Sequence, residues 1–351
     1  MGRITQTESA NARGLTGRYA PPAAARELTA TSADGSRLHI EVHGRDGDPA
    51  VVLAHGWTCS TLFWAAVIRE LTADGHRVIV YDQRGHGRSP AAVPHAYTPA
   101  TLADDLCAVL DAVLEPGEKA VLGGHSMGGM TLMAAARTRQ LNERAAALML
   151  CSTGSHRLLA ESRVIPLRSA RARTAAHRLV LGARAPLGPV TPVSRAALKY
   201  GTLGPGATRE QTEVVARIVH ACPTGVRAAW GGVLADLDLH ARVRDLRLPT
   251  AVISGTADRL TPYPHARGLA EALPDCVGLH ELAGLGHMTP IEAPEAVAGV
   301  LRGLVREHLV PEPVGAGSDS GAAKRSSGKS AAKNAKGTKQ QRKATGGGAA
   351  S

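Results

Sequence analysis

Val121-Leu122-Gly123-Gly124-His125-Ser126-Met127-Gly128-Gly129 is the stretch on which the reading of this chain turns. Ala120 to Gly123 is a short apolar run of strand type, and Met130, Leu132 and Met133 begin a helical pattern. Between them stands Gly-x-Ser-x-Gly. A Ser between two glycines, with strand before and helix after, fits a nucleophile elbow. The backbone has to reverse within about two residues, which puts the Ser in a strained φ/ψ region. Gly124 and Gly128 leave room because they have no Cβ. The Ser126 hydroxyl then projects from the carboxyl edge of a sheet, above the positive end of the next helix.

Outward from this stretch the pattern alternates. Glu27–Thr31 and Arg37–His43, joined by Asp34-Gly35-Ser36, read as a hairpin. Ala50–Ala54 is a buried strand, Leu62–Leu71 a helix and His76–Tyr81 a strand. Thr101–Leu114 is a helix with Leu102, Leu106, Val109, Leu110 and Val113 on one stripe. A helix runs from the elbow to about Arg139, followed by a strand over Ala145–Cys151. The alternation stops at Ser152 and resumes with Thr250–Ser254 (strand), Pro264–Leu273 (helix), Val277–Leu282 (strand) and Pro294–Leu309 (helix). Strands that are apolar on both faces and alternate with helices predict an α/β fold. Its sheet is doubly wound and mostly parallel, with ligands at the carboxyl ends of the strands. The intervening segment is helical in pattern and broken by prolines, which reads as an inserted lid. The expected division is a flexible arm over 1–25, core over 26–151, helical lid over 152–240, core over 241–310 and a disordered basic tail over 311–351.

Composition sets outer limits. The chain has 351 residues, 44% of them apolar, with a single Phe. A pocket is therefore expected to have aliphatic walls, with Trp57, Trp64 and Trp230 as the scarce large rings. The five Cys are scattered and no Cys-x-x-Cys pair occurs, which speaks against a zinc site or a disulfide framework. No apolar run of signal-peptide or membrane-span type is present, so a cytoplasmic location is expected. The net charge of +11 is unevenly placed. Pro311–Ser351 holds eight Lys/Arg against two carboxylates, and Ser155–Arg227 holds twelve against three. The presumed core is therefore slightly acidic. The tail has no aromatic side chains, so sequence-specific nucleic-acid binding is not expected of it. Weak contact with a membrane surface or polyanion is the competing reading to a solvated appendage.

Three further motifs accompany the elbow in chain order. His55-Gly56-Trp57 follows the first parallel strand, Gly255-Thr256-Ala257-Asp258-Arg259-x-x-Pro262 a later one, and Gly286-His287 the last. With these the sequence resembles the α/β-hydrolase superfamily, in its serine-nucleophile, lidded esterase- or lipase-like branch, over about residues 27–309. The resemblance implies that Ser126 is the nucleophile, His287 the general base and Asp258 its orienting acid. The backbone N–H groups of Trp57 and Met127 are implied as oxyanion donors. His55, His86 and His125 are read as structural, Trp64 as core, and Asp82 with Arg84 as a pair in a family loop. Relatives that open epoxides or dehalogenate place Asp where Ser126 stands, so an acyl-enzyme route to a carboxylic ester or thioester is the expected chemistry. The alternatives are non-hydrolytic: an acyltransferase, a perhydrolase-type haloperoxidase or a ligand-binding protein. No cofactor or metal is implied, and a monomer or weak dimer is expected. The lid arginines read as a solvated face, with an anionic substrate end or a negatively charged lipid surface near the lid as the competing reading.

Overall fold

The structure is a computed structural model and describes residues 14–309. β1 (Arg26–Thr31), β2 (Arg37–His43), β3 (Ala50–Ala54), β4 (Arg77–Tyr81), β5 (Ala120–His125), β6 (Ala145–Cys151), β7 (Thr250–Gly255) and β8 (Cys276–Leu282) form one sheet. Their order is β1-β2-β4-β3-β5-β6-β7-β8. β1 and β2 are the expected hairpin, and β2 runs antiparallel to β4. All later pairings are parallel, with β5 between β3 and β6. The fold is therefore the mostly parallel, doubly wound α/β sheet that the pattern predicted.

Strand residues divide between two apolar layers because successive side chains point to opposite faces. Val51, Leu53, Val78, Val80, Val121 and Met149 enter one layer. That layer is closed by α1 (Ala65–Ala73) and, near the end of the described chain, by Pro294–His308. Val52, Ile79, Leu122, Leu148 and Val252 enter the other, under α2 (Pro99–Val113), α3 (Met127–Ala134) and α4 (Arg139–Arg144). Both faces of the central strands are covered, which is why their sequences are continuously apolar. Two helix boundaries differ from the pattern. Leu62 lies in a 3₁₀ turn over Thr61–Trp64 before α1 starts. The helix after the elbow stops at Ala134, and Thr138 caps a separate α4 through the amide of Leu141.

Between β6 and β7 all regular elements are helical: α5 (Leu158–Glu161), α6 (Ala170–Gly182), α7 (Pro192–Thr202), α8 (Arg209–Ala221), α9 (Thr224–Ala235) and α10 (His240–Val243). Thr191 with Ser194 and Thr208 with Gln211 form capping boxes that start α7 and α8. α8 buries Val215 and Ile218 in the layer of α1, and α9 buries Val226 and Trp230 in the layer of α2. The second half of the insertion is thus anchored on both sides of the sheet. α11 (Pro264–Ala272), α12 (Thr289–Glu292) and α13 (Pro294–His308) complete the chain.

Three sequence expectations need correction here. Residues 14–25 were assigned to a flexible arm, yet Leu15 and Tyr19 are buried in the layer of α1 and α13. The Tyr19 hydroxyl donates to Ile291 O at 2.8 Å. An aromatic ring and a Leu find apolar surface there, which outweighs the polar character of the segment. Residues 1–13 and 310–351, including the tail, lie outside the described residues. Trp230 is fully buried instead of lining a pocket, while Trp64 is core as expected, so of the three large rings only the half-buried Trp57 reaches solvent. Lastly, Asp82 and Arg84 are not partners. Asp82 points inward from the end of β4 and accepts the amides of Thr61 at 2.8 Å and Arg88 at 2.9 Å. Arg84 turns the other way. Its guanidinium, fully buried, donates to Asp105 on α2 at 2.7 Å, to Asp34 in the hairpin turn at 2.7 Å and to Ala96 O at 2.9 Å.

Among the described residues no helix is long and apolar enough to cross a membrane. The Arg84 cluster gives the fold its first test. Asp105→Ala strands a buried cation and is expected to lower the unfolding free energy by about 3 kcal/mol. Asp34→Ala removes a partner that is 37% exposed and is expected to cost a small fraction of that. Chemical denaturation of the two variants checks the order.

Candidate active site

The elbow is built as the glycines required. Ser126 has φ 51° and ψ −114°, outside the usual regions for a residue with a side chain. A Cβ on Gly128 would sit 2.1 Å from Ala54 O, and one on Gly124 would sit 2.4 Å from the Gly128 backbone. The turn is held from both sides. Ser126 N donates to Cys151 O of β6 at 2.9 Å, and Ser126 O accepts from Met130 N at 3.1 Å and Thr153 Oγ1 at 2.7 Å. Thr58 and Ser152, beyond β3 and β6, also have positive φ, so the strain gathers at the carboxyl edge of adjacent strands.

Asp258 and His287 meet at this edge. His287 Nδ1 lies 2.8 Å from Asp258 Oδ2, and both residues are 3% exposed. The second oxygen of Asp258 accepts the amides of Leu260 at 2.8 Å and Thr261 at 3.0 Å, which fixes the carboxylate. With Nδ1–H directed at a carboxylate, Nε2 is the ring atom left with a lone pair. The His287 backbone is pinned as well: its N–H donates to Thr202 O of α7 at 2.8 Å, and its carbonyl lies 2.9 Å from His125 Nε2. Ser126 arrives by being next to His125, whose ring is 4.9 Å from that of His287. The structure therefore joins Asp258 to His287 directly and sets His125, the residue before Ser126, against the His287 ring. Among the described residues Ser126 Oγ makes no hydrogen bond to His287, an openness common in unliganded sites.

The two amides singled out in the sequence flank Ser126. Gly56 packs on the elbow so closely that a Cβ there would be 3.2 Å from Ser126 Cβ, which places Trp57 beside it. Neither Trp57 N–H nor Met127 N–H has an acceptor among the described residues. The loop carrying Trp57 is fixed by its neighbours. His55 Nε2 accepts Gln83 N at 3.0 Å, His86 Nε2 accepts Thr58 N at 3.3 Å, and Thr131 Oγ1 donates to Gln83 Oε1 at 2.8 Å. The Trp57 indole donates to Arg227 O on α9 at 3.0 Å. His55, His86 and His125 thus hold loops together, as expected of them.

Burial keeps these imidazoles neutral, and at His55 it does so although Asp82 Oδ1 lies 3.9 Å from Nε2. It depresses His55 to about 3, with the neighbouring His86 adding to the effect, and His86 to about 4. Burial and the adjacent His287 put His125 well below the ordinary histidine range. Burial pushes Asp82 the opposite way, up to about 6.

Sequence reading missed two side chains. Thr261 Oγ1 lies 2.9 Å from Asp258 Oδ2, 3.2 Å from His287 Nδ1 and 3.1 Å from Ser152 O. It stood inside the Asp258–Pro262 motif, but only proximity reveals its contact with His287. Glu292, on α12, accepts Gly204 N at 2.7 Å and Gly286 N at 3.0 Å. It ties the α7–α8 connection to the loop of His287, where a Cβ on Gly286 would be 2.3 Å from Leu203 C. Burial raises the Glu292 carboxyl above the ordinary range.

A strand–elbow–helix at the carboxyl edge of this sheet, with a coupled His and Asp from later loops, defines the α/β-hydrolase superfamily. Within it, the chain belongs to the family described as serine aminopeptidase, S33, whose model matches residues 46–294. It is 33% identical over 250 residues to a Variovorax paradoxus protein named as carbamate hydrolase RutD, covering 71% of this chain and 89% of that one. Its structure resembles a thermophilic esterase from Thermogutta terrifontis, with TM-score 0.64 and 27% identity over 80% of this chain and 98% of that one. It also resembles the enol-lactonase from Burkholderia xenovorans, with TM-score 0.62 and 25% identity over 80% of this chain and all of that one. The chain is an α/β-hydrolase enzyme.

The neutral histidines set an acid limit. A buried His with a depressed folded pKa binds its proton more readily when unfolded, so stability falls as pH drops below about 6.5. Asp82, raised to about 6, acts in the opposite sense between about 4 and 6. Burial also raises Asp105 and Glu292, but it lowers His177 and His265 alongside the first three histidines, so the first effect stays dominant. The thermal midpoint is expected to fall as pH is lowered from neutrality to about 4.5. His86→Gln is expected to flatten that slope in a pH series of melting curves.

Proposed function

We propose that this enzyme is a serine hydrolase that cleaves a carboxylic ester or thioester through an acyl-enzyme. The observation that carries the reading is the 2.8 Å contact of His287 Nδ1 with Asp258 beside a strained, half-buried Ser126. His287 Nε2 takes the Ser126 proton as Oγ attacks the substrate carbonyl. Asp258 holds the tautomer and stabilises the imidazolium. The N–H groups of Trp57 and Met127 receive the oxyanion, and being unpaired beforehand they need no reorganisation. His287 then protonates the leaving group, and water repeats the sequence to release the acid. The insertion over 152–240 acts as the lid, with Trp57 touching both it and the oxyanion loop.

A second reading has one specific support, the relative named as a carbamate hydrolase. A carbamate presents the same acyl carbonyl to Ser126, so the same residues serve. A panel of esters, thioesters and carbamates of graded chain length separates the two.

The triad is tested by Ser126→Ala, which is expected to lower kcat/KM on the best panel substrate by roughly 10⁴-fold or more with the fold intact. Labelling of the wild type by a fluorophosphonate, absent from Ser126→Ala, is the second readout. Equal turnover by both proteins removes the assignment.

Glu292 tests the placement of His287. Glu292→Gln keeps an acceptor for the two amides but removes a negative charge close to the imidazole. It is expected to lower kcat on the order of 10-fold with KM little changed. The acid limb of the kcat/KM profile is expected to move to lower pH, because the imidazolium loses a stabilising charge. An unmoved limb with normal kcat refutes a positioning role.

A further inference from the structure

The outer half of the insertion combines two properties that are separate elsewhere in the molecule. Between Glu161 and Glu210 the sequence carries nine Lys or Arg residues and no carboxylate. Some of these cations have local partners: Arg178 reaches Asp236, Arg195 reaches Glu213, and Arg173 donates to the carbonyls of Ala160 and Leu167. Arg163, Arg168, Arg171 and Arg184 are exposed, and among the described residues no carboxylate pairs with them. The same segment holds large apolar side chains in water. Leu179 is 77% exposed, Val180 62%, Leu187 44% and Val193 79%. They occupy the end of α6, the connection that follows and the first turn of α7, with Arg184 among them.

We infer that the outer face of α6 and the α6–α7 tip dock on an anionic lipid bilayer, the tip inserting Leu179, Val180, Leu187 and Val193 while Arg184 among them, and Arg163, Arg168 and Arg171 before and at the start of α6, meet lipid phosphates. The physical case is charge complementarity joined to unburied apolar surface. An apolar tip alone would serve a second copy of the chain, but each copy would bring Arg184 with no carboxylate partner to that contact, and the nearby Asp236 is already paired with Arg178. A basic face alone would serve any polyanion, yet phosphate groups in water gain nothing from exposed Leu and Val. A bilayer surface with anionic headgroups satisfies both halves of the pattern. The outer side chains can do this while the inner side of the segment stays on α9, where Gly231 lies against Leu181 O and Arg227 donates to the carbonyls of Ala183 and Ala185, because α8 and α9 are themselves buried in the two core layers. The inference does not depend on the proposed chemistry at Ser126.

The test is co-sedimentation of the full chain with vesicles of phosphatidylcholine, alone or with one-third phosphatidylglycerol, at low and high salt. Binding is expected for the anionic vesicles only, weakening with salt. Replacing the four exposed arginines (R163Q, R168Q, R171Q, R184Q) is expected to reduce it about 10-fold or more. L179S with V180S and V193S is expected to reduce it comparably, whereas V277S with L279S, at the exposed β8 edge, leaves it unchanged. Wild-type binding by both tip variants assigns the vesicle contact to the basic residues beyond Pro311 and overturns the inference. So does equal binding to neutral vesicles, or a concentration-dependent dimer abolished by the tip serines in a protein that ignores vesicles. Hydrolase activity on a short soluble ester is measured in parallel and is expected to survive in the tip variants.

Discussion

A parallel strand can pass into a helix within one residue only if two backbones come closer than any side chain allows. Here Gly128 lies against the carbonyl of Ala54, and Gly124 against Gly128. That approach ties β3, β5 and α3 into one rigid corner, and Ser126 takes a left-handed φ as the consequence. The same corner leaves the first amide of α3 without an acceptor, as the first turn of a helix must. Reactivity and strain thus share a cause. The position that presents a hydroxyl to solvent is the one that frees an N–H beside it.

Around that corner the protein uses neutral imidazoles as building material. His55, His86 and His125 each join two loops that belong to different strands. At His55 and His86 the loop bond is accepted by Nε2, which protonation would block, so burial that keeps these two rings neutral also keeps their loops assembled, whereas His125 donates from Nε2 to the His287 carbonyl. His287 differs in having a carboxylate against Nδ1. Asp258 is hydrogen-bonded to the His287 ring, whereas the carboxylate nearest His55, that of Asp82, stands 3.9 Å away.

The insertion is part of this site rather than a cover added to it. Thr202 O holds the His287 amide, Glu292 bridges Gly204 and Gly286, and the Trp57 indole reaches α9. Its inner half is buried on both faces of the sheet, while its outer half exposes Leu, Val and Arg side chains. One segment therefore has two mechanical characters. The part next to His287 is fixed by backbone hydrogen bonds, and the part far from it rests on α9, where Gly231 meets Leu181 and Arg227 donates to the carbonyls of Ala183 and Ala185, with its outer side chains exposed.

Much of this was legible in the chain. Apolar runs of five to seven residues separated by helical stripes fixed the strands, because strands covered on both faces tolerate few polar residues. The elbow was readable because only Gly suits its close contacts, and the post-strand Asp258 and His287 because a strand's end determines where the next residue stands. What sequence could not supply were partners chosen by three-dimensional packing. Arg84 took Asp105 and Asp34 instead of the nearby Asp82, since alternate turn residues point apart. Tyr19 left the expected arm for the core, Thr261 reached His287 from a variable position within the Asp258–Pro262 motif, and Glu292 reached the amide of Gly286 from a position that carries no motif. Local rules act through backbone geometry over a few residues, so the sequence alone determined the sheet, the elbow and the candidate triad. Buried side chains select whichever group lies nearest in space, so only the tertiary structure decided how those residues are held.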